Sequence, residues 1–255
     1  MLSIVEIMRG LVSQSKKIET SKLPTQGLFY LPDFEMKIRK ADMEDIIDYE
    51  YNYDKENLYA VIESVKKIVH KNTIFSKNYK FEDIKSVDII YIFLEIVKFT
   101  MNKEIKIPYF NDIIGKPDMI EFNHSTFNYF DFSKYELDKE NGCILMNGYK
   151  FSMPSIGIEN CLTHFLIKKS DTPDAKKWNS YSYDFLFFVG NKNNLTFDEI
   201  ENLVTIFNFD IEEVEQNKIR EIVKEFMKVV GYSLQLNGKV IDVKSKLDLE
   251  TIWKD

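Results

Sequence analysis

Few residues in this chain are of types that carry chemistry. Among its 255 residues there are three histidines, His70, His124 and His164, and two cysteines, Cys143 and Cys161. Cys161 and His164 stand three apart in a segment of helical period, so one helix face can present both. A zinc-type site needs two or more further ligands. Cys161 also falls on an apolar stripe, where a free thiol packs as a small hydrophobe, so its bland reading is core. His70 ends a helix, where its charged form meets a favourable dipole. His124 sits between Asn123 and Ser125 with no neighbouring nucleophile or acid. Gly148, Gly157 and Gly190 are isolated, so no glycine-rich loop cradles a phosphate. These residue types predict no catalytic residue, no metal and no cofactor. The enzymatic alternative is a site gathered by the fold from scattered side chains such as His124, His164 and Asp184.

Charge narrows the classes further. The formal net charge is −7, which argues against nucleic acid as the partner, since that needs a basic face. The pairs Lys66-Lys67, Lys168-Lys169 and Lys176-Lys177 read as solvated helix faces, and Glu212-Glu213-Val214-Glu215 as an acidic helix start. Two cysteines give no disulfide framework and point to a reducing compartment. Glu6 and Arg9 interrupt the N-terminus, so it does not read as a signal peptide. Val87 to Val97 contains Asp88 and Glu95 and is too short to span a bilayer. The expectation is a soluble, intracellular protein with no membrane partner, acting by binding rather than by reaction.

The elements that would position these residues follow from periodicity. Ile4, Ile7, Met8 and Leu11 give a short amphipathic helix in an N-terminal arm, residues 1–22, followed by the polar run Ser13 to Lys17. Leu23 to Tyr30 reads as a turn entering a strand, and Phe34 to Arg39 alternates, so a hairpin is expected around Leu31-Pro32-Asp33. Asp42 is positioned to cap a helix through Tyr49, and Asp54 a longer one with Leu58, Val61, Ile62, Val65 and Val69 on one face. Ser86 would cap the central helix, with Val87, Ile90, Tyr91, Leu94 and Val97. These make a region of hairpin plus helices over 23–102.

A β-rich section spans 103–154. In it Asn147-Gly148 predicts a tight hairpin. A helical region, 155–255, follows. Ser155 starts one helix, and Thr196 and Asp210 each open a capping-box pattern. Ile219, Ile222, Val223, Phe226 and Val230 form a stripe stopped by Gly231, and Asn237-Gly238 turns a last hairpin. The fold class is therefore α+β: an N-terminal hairpin with helices, a β-rich middle, and a helical C-terminal region ending in a β-hairpin.

Two apolar places are not claimed by a helical core. One is the arm. The other is Phe127 to Phe132, where alternation puts Phe130 and Phe132 on one face and Tyr129 on the other. That segment reads either as core or as interface, and aromatics are favoured at interface cores. The expected partner-binding residues are Ile4, Ile7, Met8 and Leu11 on the arm, with Tyr129, Phe130 and Phe132 on the aromatic segment.

The order of segments resembles the baseplate hub assembly protein family of T-even-like contractile-tailed phages. The resemblance lies in Leu23-Pro24-Thr25-Gln26-Gly27, then Lys37-Ile38-Arg39, then Asp42-Met43-Glu44-Asp45. It continues in Asp88-Ile89-Ile90-Tyr91-Ile92-Phe93-Leu94, in Tyr149 to Pro154, in Tyr183-Asp184-Phe185-Leu186-Phe187 and in Leu195 to Ile200. It covers roughly residues 23–240 as short degenerate pieces. Lys37, Arg39 and Lys40 stand for a longer basic motif, and cysteines that some members carry are missing between Lys103 and Phe132. The resemblance implies a tail assembly factor or baseplate part without enzymatic activity. Its partners would be other phage tail or baseplate proteins, with a homo-oligomer as a further option. It would act in the host cytoplasm during assembly, with the virion tail as the other location.

Overall fold

The computed structural model describes residues 15–54, 58–76, 78–111, 113–126, 129–133, 135–146, 149–230, 234–236 and 239–241. Ile4, Ile7, Met8 and Leu11 of the arm lie outside the described residues, as do Phe127, Gly231 and the two Asn-Gly dipeptides. The fold is α+β. Its sheets are small and antiparallel, and helices pack around them.

The N-terminal sheet differs from the expected hairpin. Strand β2, Met36–Arg39, alternates as predicted, with Met36 and Ile38 buried. Its partners are β1, Ser15–Lys17, and β3, Thr73–Phe75, so it is the central strand of three. The polar run assigned to the arm thus supplies an edge strand, and Ile18 next to it is buried. Leu23 to Tyr30 forms no strand. Gln26 and Gly27 both have positive φ, 54° and 74°, which coils the chain into successive turns. Gly27 takes that conformation cheaply and Gln26 does not. The Gln26 side-chain amide is held by the Phe130 carbonyl at 2.7 Å.

Helix α1, Met43–Asp54, runs past Tyr49. Asp42 caps it reciprocally with Asp45: Asp45 N donates to Asp42 Oδ1 at 3.0 Å and Asp42 N to Asp45 Oδ2 at 3.3 Å. Helix α2, Leu58–Asn72, follows. Helix α3, Ile89–Met101, is the central helix, with eight of its thirteen residues buried, so it is covered on most sides. Ser86 does not cap it. A 3-10 turn, Ser86–Asp88, intervenes, and the Ser86 hydroxyl donates to the Pro154 carbonyl at 3.1 Å.

The middle section holds the hairpin β4–β5, Lys106–Asn111 and Lys116–Glu121, and the sheet β6-β7-β8. Strands β6, β7 and β8 are Glu136–Asp138, Cys143–Met146 and Tyr149–Phe151. Met146 pairs with Tyr149, the register of a two-residue connection.

Ser155 caps α4, Ile156–Ser170, accepting from Ile158 N at 3.3 Å. A short α5, Ala175–Ser180, and a 3-10 helix, Asp184–Phe188, follow. Thr196 and Glu199 form the predicted capping box of α6, Phe197–Thr205. The second predicted box fails. The chain makes a π turn, Ile206–Asp210, so α7 begins later and spans Glu213–Val230. Strands β9, Leu234–Leu236, and β10, Lys239–Ile241, pair as the expected last hairpin.

Among the described residues, three apolar clusters make the core. The first surrounds α3. The second is aromatic: Phe29, Phe130, Phe132, Phe151 and Phe226 meet edge-on or tilted with centroids 4.8–5.9 Å apart. This decides the aromatic segment against the interface reading. Phe130 and Phe132 are each 5% exposed, and Tyr129 is half-buried with its hydroxyl donating to the Lys22 carbonyl at 2.7 Å. Alternation had assigned the two phenylalanines to one face correctly, but that face meets Phe29 and Phe226 from distant segments, which local pattern does not reveal.

The third cluster joins α4, α5, α6 and α7. Within it the Lys169 ammonium lies 4.1 Å from the Trp178 ring centroid, 5.0 Å from Phe197 and 5.4 Å from Phe165, with Glu201 Oε2 at 3.0 Å. Lys169→Met keeps the aliphatic stem and removes the charge. The expected result is a loss of about 1–2 kcal/mol, the size of a desolvated cation–π contact. Urea denaturation checks it, and Lys168→Met, whose ammonium meets only Phe197 among these rings, at 5.6 Å, should cost less.

Candidate functional site

A buried polar cluster lies where the Leu23–Tyr30 strap meets the 3-10 turn that leads into α3. Asp88 is fully buried. Its Oδ1 accepts from Thr25 N at 3.0 Å, and its Oδ2 accepts from Thr25 Oγ1 and from Tyr30 Oη, both at 2.7 Å. Tyr30 Oη in turn accepts from Lys85 N at 3.0 Å. Buried Lys85 sends its ammonium to Asn191 Oδ1 at 2.9 Å, and the Asn191 amide donates to the Asn141 carbonyl.

Burial sets the proton affinities here. Loss of water pushes the Asp88 carboxyl up to about 6, against the lowering effect of its hydrogen bonds from Thr25 and Tyr30. Burial pushes the Lys85 ammonium down to about 8, opposed by the negative charges of Asp88 and Asp83. Tyr30 is raised well above its usual value, by burial first and then by Asp88. These are the residue types of an acid–base site. Yet Thr25 and Asp88 have no exposed surface and Lys85 is 3% exposed, so substrate atoms do not reach them. The arrangement is a clamp. It ties the strap, whose Leu23 and Tyr30 belong to the α3 cluster and whose Phe29 belongs to the aromatic one, to the 3-10 turn Ser86–Asp88, whose Val87 belongs to the aromatic cluster and which leads into α3. In sequence Asp88 counted only as a charge that interrupts the apolar run from Val87 to Val97. A carboxylate inside an otherwise apolar run was the signal for it.

The scattered histidines do not converge on this cluster or on a shared cleft. His124 is exposed on a 3-10 turn, its ring 5.2 Å from Tyr129, and borders a cleft of about 240 Å³. The other walls come from Lys16 to Glu19, Lys22, Tyr91, Glu95, Lys98 and Asn123, and neither His164 nor Asp184 contributes. Its lysines are engaged: Lys16 with Glu95 at 2.7 Å, Lys22 with Glu19 at 2.9 Å, Lys98 with Glu104. His164 is exposed on α4, and Asp184 accepts from Ser182 Oγ at 2.8 Å. His70 stacks obliquely on Phe81 at 4.7 Å. Cys161 Sγ lies 3.1 Å from Asn194 Oδ1, at the edge of the third cluster. Among the described residues, no group of three or more His, Cys, Asp or Glu is placed to hold a metal ion. No described helix is long and apolar enough to cross a membrane.

What the surface does offer is apolar side chains in prominent places. Hairpin β4–β5 closes at Asn111↔Lys116, and its tip presents Ile113, 84% exposed, Ile114, 56% exposed, and Gly115 at φ 61°. Sequence reasoning passed over this tip because two isoleucines carry no periodicity.

No protein-family model matches the chain, and neither does any curated protein or solved structure.

Proposed function

We propose that this chain is a phage tail baseplate protein or baseplate assembly chaperone that acts through oriented contacts with other tail or baseplate proteins. The observation that carries the contact role is the β4–β5 tip. Two isoleucine side chains exposed at the end of a two-stranded hairpin become favourable contacts once a partner removes them from water. The order of segments, which resembles that of the hub assembly family, supports this biological setting. In that setting the protein works in the host cytoplasm, joins protein partners rather than nucleic acid or membrane, and either leaves the baseplate or stays in the tail.

The test is co-purification of the tagged chain from infected cells with identification of the bound chains. The double substitution Ile113→Asp, Ile114→Asp is expected to leave the melting temperature within a few degrees, because both side chains are already solvated. It should strip the complex of baseplate partners. An unchanged partner set would overturn the role of the tip, and a wild-type chain that brings down no tail protein would overturn the baseplate reading.

The arm is the second expected contact. Its deletion must end at residue 14, since β1 and buried Ile18 belong to the domain. The chain lacking residues 1–14 should fold with unchanged cooperativity and join its complex less tightly. Unfolding would make the arm part of the core, and undiminished assembly would make it dispensable.

A further inference from the structure

The hairpin that carries the isoleucine tip is closed to pairing along its sides. Phe122 N donates to the Ile105 carbonyl at 2.9 Å, and next to them Lys106 stands opposite Glu121. Ile105 and Phe122 therefore face each other as a hydrogen-bonded pair, and such pairs recur at every second position of an antiparallel ladder. Ile107↔Ile120, Tyr109↔Asp118 and Asn111↔Lys116 are then the bonded pairs of β4–β5. The residues between them turn their backbone N–H and C=O groups away from the other strand. On β4 these are Lys106, Pro108 and Phe110, and on β5 they are Pro117, Met119 and Glu121.

The two strands form a sheet of their own, so each has one side along which no described strand is paired. Such a side is a template for strand addition by another chain. Here its donors are withdrawn. Proline has no N–H, and Pro108 holds the middle one of the outward positions of β4. Pro117 removes a donor from β5, and the next outward donor, Met119 N, is already given to Asp118 Oδ1 at 2.8 Å. Both prolines thus sit where a strand tolerates them, with the nitrogen facing out of the ladder. The exposed apolar groups are elsewhere. Ile113 and Ile114 are at the tip, and Met119, 43% exposed, is on the face opposite buried Ile107 and Ile120. We infer that the β4–β5 hairpin is guarded against strand addition on both sides and meets its partner by inserting side chains. The partner then offers an apolar pocket to the tip isoleucines, as anchor residues at interface centres require, and not a sheet edge to the strands. The insertion rests on the contact role of the tip proposed above; the guarding of the edges does not.

The first arm of the experiment needs no partner. In the full chain, Pro108→Thr with Pro117→Thr restores both outward donors and leaves the bonded pairs untouched. Sedimentation velocity over a concentration series should show this variant shifted to larger species than the wild type at equal concentration. Infrared spectra should show added intermolecular β signal. Pro108→Ala with Pro117→Ala restores the same donors with less β propensity and should shift in the same direction, and melting curves confirm that each variant folds. Folded variants of both kinds that sediment as the wild type does would mean that the prolines guard nothing, and would overturn the guarding. The second arm places a photo-crosslinking phenylalanine analogue at position 113 or, in a separate chain, at position 106 on the side of β4. In infected cells, position 113 should crosslink to apolar side chains of one partner chain, identified by mass spectrometry, at least tenfold more than position 106. Crosslinks mainly from position 106 to a partner strand would make the edge the contact and overturn the insertion. No crosslink from either position would remove the contact role of the tip and the insertion with it, while the sedimentation result still decides the guarding.

Discussion

Gly157→Ala should destabilise this protein by about 3 kcal/mol or more, the upper range for forcing extra atoms into packed structure. The ordinary effect of this substitution inside a helix is a gain of up to about 1 kcal/mol. Gly157 lies in the first turn of α4, and a Cβ there would fall closer than 3.0 Å to the Asn193 carbonyl oxygen. The obstacle is backbone, so no rotamer change relieves it. Nor can the loop retreat cheaply. Ser155 Oγ donates to the Lys192 carbonyl at 3.3 Å, Asn193 Nδ2 to Asp83 Oδ1 at 2.7 Å, and the Cys161 thiol lies 3.1 Å from Asn194 Oδ1. Moving residues 192–194 strains all of these together. Gly115→Ala is the comparison. It has positive φ but nothing within 4 Å, so it should lose only about 1 kcal/mol, from backbone conformation alone. Urea midpoints of the two variants separate the causes, and equal losses would mean that the close approach at Gly157 is not what fixes that residue.

The same glycine shows how far local pattern reaches. Its isolation excluded a phosphate loop, which is a statement about neighbours in sequence. Its real constraint is a carbonyl 36 residues away, which no periodicity reports. Signals that act within a few residues were legible. Ser155 and Thr196 cap where their types and spacing say they should, and both Asn-Gly pairs separate strands in two-residue register. Where two local signals competed, the tertiary contact decided. Ser86 had the right type to cap α3, but its hydroxyl goes to Pro154, and the chain enters the helix through a 3-10 turn instead. Asp210 headed a good capping box, but anchoring of Asn208 to Ser182 favours a π turn through it. The candidate contact surfaces were the least legible. Exposure at a hairpin tip depends on the shape of the whole chain, and the aromatic run most suggestive of an interface is buried by Phe29 and Phe226, themselves nearly 200 residues apart in sequence.

Asp88 gives the second large effect. Asp88→Ala removes the acceptor for Thr25 N, Thr25 Oγ1 and Tyr30 Oη in a fully buried place, and should cost about 3–5 kcal/mol. Asp88→Asn is the more informative variant because it keeps the volume and removes the titration. The sign runs opposite to that of an exposed carboxylate such as Asp42 or Glu199, whose folded state holds the proton more weakly than usual and is stabilised as pH rises. Asp88 holds its proton more tightly when folded, at about 6 against 3.8. Its contribution to stability is therefore complete below about 4 and is lost as pH rises through about 6. Roughly two pK units amount to about 3 kcal/mol. Lys85, pushed down to about 8, is still largely charged at pH 7 and changes little below it, so it does not mask this window. Between pH 4 and pH 7 the stability difference between the Asp88→Asn variant and the wild type should thus move in favour of the variant by about 3 kcal/mol, measured by urea unfolding at each pH. A difference that stays flat over that range would mean that the carboxylate does not change charge there, and that its three donors hold it ionised throughout.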